Sequence, residues 1–208
     1  MVIPYICTEL PEKQKAALAS AQKVPLLYTN VEFKNWTSFQ KLGVNSVYAP
    51  GCYHTGVNLD LPVSIGGYEC ATKPEEPIVV HMMKAACKPG RPARDQHRLG
   101  RIQLYSTTFE TFERNIRDQL SRTLGPGGFE PARDIAAITV NRWPHGYAYE
   151  YNSLFDDFWL NGGETPCEVA RKPFGRIAIA NSDAAAYAYT DAAIDQAFRA
   201  VKEITAHA

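Results

Sequence analysis

The sequence predicts a mixed α/β fold, and three observations carry that prediction. Short runs of β-branched and aromatic residues recur over the first eighty-five positions. A strongly amphipathic stretch follows at Tyr105 to Leu124. A compact apolar run, a small polar turn and an apolar-striped helix close the chain. At 208 residues the chain suits one large domain or parts of two, and its 45% hydrophobic content is enough for a sizeable core.

The elements follow in order. Pro11 and Glu12 open a first helix that runs through Ala16, Ala17, Leu18 and Ala21 and stops near Lys23, because Pro25 biases Val24 away from helix. VPLLYTNVEF (Val24 to Phe33) reads as a strand, with Leu26, Tyr28 and Asn30 on one face. Asn35 is placed to cap a short helix, Trp36 to Lys41, closed by Gly43. VNSVYAPG and PVSIGGY are read as further strands, and IVVHMM (Ile78 to Met83) as a buried one. Lys88 to Arg101 is basic and turn-rich and is read as a solvated loop. Phe109, Phe112, Ile116 and Leu120 line one face of a helix from Tyr105 to Leu124, ended by GPGG. Asp134 to Trp143 reads as a strand, 146–174 as loop, and GRIAIAN (Gly175 to Asn181) as a strand. The last helix runs from Tyr189 to Ala206, with Ala193, Ile194, Ala197, Phe198, Val201 and Ile204 on its buried face.

Lys plus Arg and Asp plus Glu are 22 each, which argues against a nucleic-acid partner, since binding duplexes leans on phosphate neutralisation. No apolar run has the length of a membrane helix, and the N-terminus lacks the pattern of a secretory signal. The five cysteines are scattered, without CxxC or metal-ligand spacing, so no metal site is predicted.

Two segments can carry chemistry. In the first, Asn181-Ser182-Asp183 sits at the carboxyl end of an expected strand, where ligands of open α/β sheets collect. Small residues Ala184, Ala185, Ala186 and Ala188 permit close approach of a flat ligand, and a helix beginning near Thr190 offers free N–H groups. The plainer reading is a capped turn and helix with no ligand. In the second, RWPHGYAY groups Trp143, His145, Tyr147 and Tyr149, with Gly146 free to take an unusual backbone angle. Core packing and a turn histidine are the plainer readings there. Tyr28 is a weaker pocket candidate.

The tail residues Gly175-Arg176-Ile177, Asn181-Ser182-Asp183 and Tyr189-Thr190-Asp191-Ala192-Ala193 resemble the C-terminal FAD-contacting motif of the flavin-containing amine oxidase superfamily. The segments from Val24 to Val44, Ala49 to Tyr68 and Val140 to Asn152 resemble, more narrowly, bacterial spermidine dehydrogenase-like flavoproteins. The resemblance implies the C-terminal half of a two-domain FAD-linked fold. Residues 1–145 would be substrate-domain, 146–174 an aromatic loop near the flavin, and 175–208 the end of the FAD domain. It implies oxidation of an amine, a polyamine such as spermidine, by hydride transfer to FAD. Trp143, His145, Tyr147 and Tyr28 would line the reacting centre. Asn181, Ser182, Asp183, Tyr189 and Thr190 would meet the cofactor, Asp183 by its side chain and Thr190 by its main chain at flavin N1/O2. The family often carries Gly and Glu in the turn where this chain has Asn181 and Asp183. The sequence contains no GxGxxG turn, so an N-terminal Rossmann half or subunit is the expected partner. The alternative is a non-catalytic subunit or remnant that docks to a partner chain. Compartment stays open between bacterial cytoplasm and periplasm.

Overall fold

A computed structural model describes residues 2–151 and 163–206. It forms two compact units, 24–145 and 1–23 with 146–208. Residues 1–23 therefore group with the C-terminal stretch.

The unit 24–145 is built on a five-stranded sheet of order β2-β3-β4-β1-β5: β1 Val24–Phe33, β2 Ser46–Tyr48, β3 Gly56–Leu59, β4 Ile78–Ala85 and β5 Ile135–Gly146. β1 runs antiparallel to β4 with Asn30 opposite His81, and β3 antiparallel to β4 with Asn58 opposite the same His81. Alternation splits the sheet into two unlike faces. Leu27, Thr29, Val31 and Phe33 of β1, Val80 and Met82 of β4, and Val57 of β3 are fully buried. They pack with Phe39 of the helix Thr37–Leu42 (α3) and with Phe112, Ile116, Leu120 and Leu124 of the helix Phe109–Leu124 (α5). The opposite face carries Tyr28, Asn30, His81 and Met83 and is only half-buried.

A polar bracket lies inside this core. His54 and Gln119 exchange two hydrogen bonds, His54 N–H to Gln119 Oε1 and Gln119 Nε2–H to His54 O, both 2.8 Å. The His54 ring meets Thr29 Oγ1 at 3.1 Å, while its Nδ1 has no partner. Burial, and then the Lys84 charge, push the His54 pKa down to about 4.

Several expectations are corrected. The basic stretch expected as a loop is helical from Ala93 to Ser106 (α4). Its turn chemistry ends at Pro92, and the Arg and Gln residues that follow are good helix formers with a solvated face. Gly100 is required there: a Cβ would stand 1.6 Å from the Ala86 carbonyl oxygen. The next helix starts at Phe109 rather than Tyr105, because Thr108 caps it by accepting the Thr111 N–H. Asn35 does bind the Thr37 N–H through its side chain, and Gly43 closes α3 with φ +68°. PVSIGGY and GRIAIAN form no strands; each contributes one isolated bridge, Ile65 with Tyr68 and Phe174 with Ile177. For GRIAIAN the reason is that backbone of that kind needs a neighbouring strand, and the described residues of its unit beyond Gly146 contain none.

That second unit consists of helices Ile3–Ile6 (α1), Glu12–Ser20 (α2), Pro166–Ala170 (α7) and Thr190–Thr205 (α8); the sixth helix of the chain, Pro131–Asp134 (α6), precedes β5. The expected loop 146–174 contains α7, opened by a capping box of Thr165 and Glu168, and its residues 152–162 lie outside the described residues. The core is small: Cys7, Leu10, Leu18 and Ala170. Gln14 of α2 ties to α7 through the carbonyls of Ala170 and Lys172. The last helix is turned from the expected orientation. Ala192 and Ala200 are its buried residues, while Ile194, Phe198, Val201 and Ile204 are exposed.

Candidate functional site

The half-buried face of the sheet holds a cleft of about 460 Å³ lined by Tyr28, Asn30, Asn58, His81, Met83, Asn141 and Trp143. Its volume falls within the range of small-molecule sites. Four strands build it, each by the same alternation that sends neighbouring residues into the core. β1 supplies Tyr28 and Asn30, β3 Asn58, β4 His81 and Met83, and β5 Asn141 and Trp143. On β5 the core-side residues are Ile138, Val140 and Arg142, the last with its guanidinium 5.1 Å from the Phe112 ring centroid. Trp143 thus points the other way and is 55% exposed.

The cleft floor is hydrogen-bonded. His81 Nε2 lies 3.1 Å from Asp60 Oδ1, and His81 Nδ1 lies 2.7 Å from Asn30 Oδ1. Asp60 Oδ1 also accepts the Leu61 N–H, and Ser46 donates to Asn58 Oδ1. Among the described residues that line the cleft none is a carboxylate. Amide groups and aromatic faces line it, which can receive an amine through N–H to oxygen bonds and ring contact without fixing it as an ion pair.

Of the residues expected at a reacting centre, Tyr28 and Trp143 meet in this cleft. His145 follows two positions beyond Trp143 on the same side of β5, since alternation repeats every second residue. Pro144 and His145 lie within the strand rather than after it. Tyr147 belongs to the other unit and is exposed; it takes a left-handed φ of +58°, the angle expected of Gly146. His81, Asn58, Met83 and Asn141 were not among the expected site residues. In IVVHMM a histidine interrupts an apolar run where alternation turns outward, which marks His81 as facing out of the core without naming its partners.

In the other unit, Asp183 is held within the chain. Its Oδ1 accepts the Tyr149 N–H at 2.7 Å, and its Oδ2 lies 2.7 Å from Lys23 Nζ. Ser182–Ala185 is a short 3-10 turn rather than the end of a strand, and Ala186 closes it with φ +52°. Asn181 and Asp183 line a cavity of about 70 Å³ together with Tyr149, Cys167 and Arg171, well below the size of a cofactor pocket. Tyr189 is the N-cap of α8 and makes no side-chain cap bond, so the first N–H groups of the helix, Thr190 included, are left to partners outside it. The Tyr189 ring lies 4.7 Å from that of Tyr187.

A larger cleft of about 710 Å³, bordered by Trp36, Asp60, Leu61 and Tyr68, lies elsewhere in the sheet unit; it shares Asn58 with the first and is lined by none of the expected site residues. Among the described residues no group of three metal-binding side chains occurs, and no helix is long and apolar enough to cross a membrane.

No family model matches the chain, and no curated protein matches it. Among solved structures it is similar to a double mutant of putrescine oxidase made to redesign cofactor binding. The TM-score is 0.57 at 14% sequence identity, and the match covers 96% of this chain and 39% of that one. The mixed α/β architecture is therefore that of part of an amine oxidase fold, and the chain spans about two fifths of the length of the protein it resembles.

Proposed function

We propose that the chain supplies the substrate face of an FAD-dependent oxidoreductase that oxidises an amine, with a polyamine such as spermidine as the favoured class. The observation that carries the reading is the cleft in which Tyr28 and Trp143 meet on the open face of a sheet whose fold is that of part of an amine oxidase. FAD, when bound, accepts the hydride from the carbon beside the amine nitrogen. The chain's own residues do the rest. Trp143 and Tyr28 hold the aliphatic part of the amine against ring faces, and Asn58 and Asn141 offer acceptors to its N–H groups. Hydride loss requires a neutral nitrogen, and amide and ring contacts hold an amine without demanding its charge. His145, two positions further along β5, lies on the same side of the strand as Trp143.

The residues of the second unit fit one edge of a flavin and not a whole dinucleotide. The uncapped start of α8 at Thr190 offers main-chain donors to an electron-rich ring edge, and Ala184, Ala186 and Ala188 leave room beside it. Tyr189, Asn181 and Ser182 border that edge. Asp183, with one oxygen on Lys23 and the other on Tyr149, acts on the cofactor chiefly by holding this turn in place. The sequence has no Gly-rich turn for pyrophosphate, so the reading assigns adenine and pyrophosphate to an N-terminal Rossmann half or subunit.

The test is a flavin-fluorescence titration of the purified chain. The expected result is no tight saturable FAD binding by this chain alone. In the assembly that includes a dinucleotide-binding polypeptide, FAD binds, and spermidine bleaches it anaerobically. Thr190→Pro, which removes the main-chain donor, impairs that bleaching, while Thr190→Ala leaves it nearly unchanged. A stoichiometric yellow complex of the chain alone would overturn the assignment of the pyrophosphate site.

A further inference from the structure

His81 is the one titratable residue that lines the cleft with both ring nitrogens already bonded. The atoms it faces decide its hydrogens. Nε2 faces a carboxylate oxygen of Asp60, which only accepts when ionised, so Nε2 carries hydrogen. Nδ1 faces the amide oxygen of Asn30, which also only accepts. A protonated ring satisfies both partners, donating to Asp60 on one side and to the amide oxygen on the other. A neutral ring that keeps Nε2–H on Asp60 turns a bare Nδ1 toward Asn30. The bond survives only if Asn30 rotates its amide by a half-turn and donates Nδ2–H instead.

From this we propose that His81 is a positioning residue that sets which end of the Asn30 amide faces the cleft. With His81 protonated, Asn30 gives its oxygen to the histidine and presents Nδ2–H donors to a ligand. With His81 neutral, Asn30 gives its Nδ2–H to the histidine and presents the oxygen as an acceptor. The cleft therefore changes from donor to acceptor, and loses a positive charge, in one step. The consequence for substrate rests on the amine reading above. A cationic or neutral amine needs acceptors, so the neutral-His81 form binds it and the protonated form rejects it.

The surroundings support a coupled pair. Asn30 and His81 are directly opposite in the β1–β4 register, so neither can leave the other without breaking the sheet. Asp60 is fixed by the Leu61 N–H as well as by His81. On that face of the sheet the titratable neighbours are Asp60 after β3, Tyr28 and Glu32 of β1, Tyr48 of β2 and His145 of β5, while Asn58, Met83, Asn141 and Trp143 carry no charge. Protonation of His81 is thus the charge change that reaches the Asn30 amide directly.

The experiment uses the whole chain with ¹⁵N-labelled histidine and asparagine, followed by NMR across the histidine titration. The expected result is that the Asn30 side-chain amide resonances move with the same midpoint as the His81 ring nitrogens, and that His81→Gln abolishes the movement. Putrescine is the probe for the consequence. Its affinity should rise roughly five- to tenfold as His81 loses its proton, and this rise should disappear in His81→Gln. An Asn30 amide that ignores the His81 midpoint overturns the inference. So does a putrescine pH profile identical in wild type and His81→Gln. Coupled resonances with no putrescine binding at any pH support the inference and overturn the amine reading instead. Should His81→Gln fail to fold, Asp60→Asn, which alters the Nε2 partner, is expected to shift both midpoints together.

Discussion

The two units differ in how much of their apolar surface they cover. The sheet unit buries a continuous core of fifteen residues, from Leu27 to Ile135, eleven of them at 1% exposure or less. Among the described residues of the unit formed by the two ends of the chain, the core cluster has four members, with Val169 and four alanines buried outside it, and Ile194, Phe198, Val201 and Ile204 are exposed along α8, with Val2, Tyr5 and Ile6 exposed near the N-terminus. The first has a continuous core behind its cleft. The second carries on α8 an apolar stripe that its described residues leave exposed.

Substitutions that delete core volume should separate them most. Phe112→Ala, in the sheet unit, is expected to cost about 3 to 5 kcal/mol in denaturant unfolding. Phe198→Ala in α8, whose ring is largely exposed beneath Lys202, should change stability by less than about 0.5 kcal/mol. Equal losses would erase the contrast.

A second separation comes from pH. The folded sheet unit holds His54 at about 4 against an ordinary 6.5, so the denatured chain takes up the proton first. The stability this neutral histidine contributes is intact above pH 6.5 and is lost as pH falls toward 4, to the extent of about 3 kcal/mol. Urea unfolding at intervals between pH 7 and 4 checks the slope. His54→Gln should flatten it, and a stability that rises toward pH 4 would contradict the assignment.

A third is confined to the smaller unit. Asp183→Ala removes the partner of Lys23 and the acceptor of the Tyr149 N–H and should destabilise that unit by about 1 to 3 kcal/mol. Hydrogen exchange at Tyr149 and at the 182–185 turn should quicken, while the amides of β1 and β4 stay protected. Unchanged exchange at Tyr149 would show that the bond to Asp183 does not hold the turn.

What was legible in the sequence follows the same divide. Val24–Phe33 was read to the residue, because alternation from Leu27 to Phe33 of a fully buried face with a half-buried one leaves one register. That alternation put Tyr28 on the open face, whereas Trp143 was singled out by the aromatic grouping in RWPHGYAY and by the family resemblance. His81 was not, because a single histidine in an apolar run has no partner in the local sequence; Asn30 and Asp60 lie 51 and 21 positions away. The run Gly175 to Asn181 looked like a strand by composition, but composition does not supply a neighbour to pair with. On α8 the apolar stripe was correctly located and wrongly assumed to face inward. Alanines at 192 and 200 pack the helix instead, since small side chains suit the close contact with the 182–185 turn.

The central claim is that the cleft on the open sheet face receives an amine. It is tested most directly by following the Trp143 indole and Tyr28 ring resonances of the whole chain during titration with spermidine and with putrescine. The account predicts saturable shifts at Trp143 and Tyr28, lost in Trp143→Ala, with Phe112 and Ile116 in the core unmoved. Shifts confined to Trp36 and Tyr68 in the larger cleft, or no shifts at all, would contradict it.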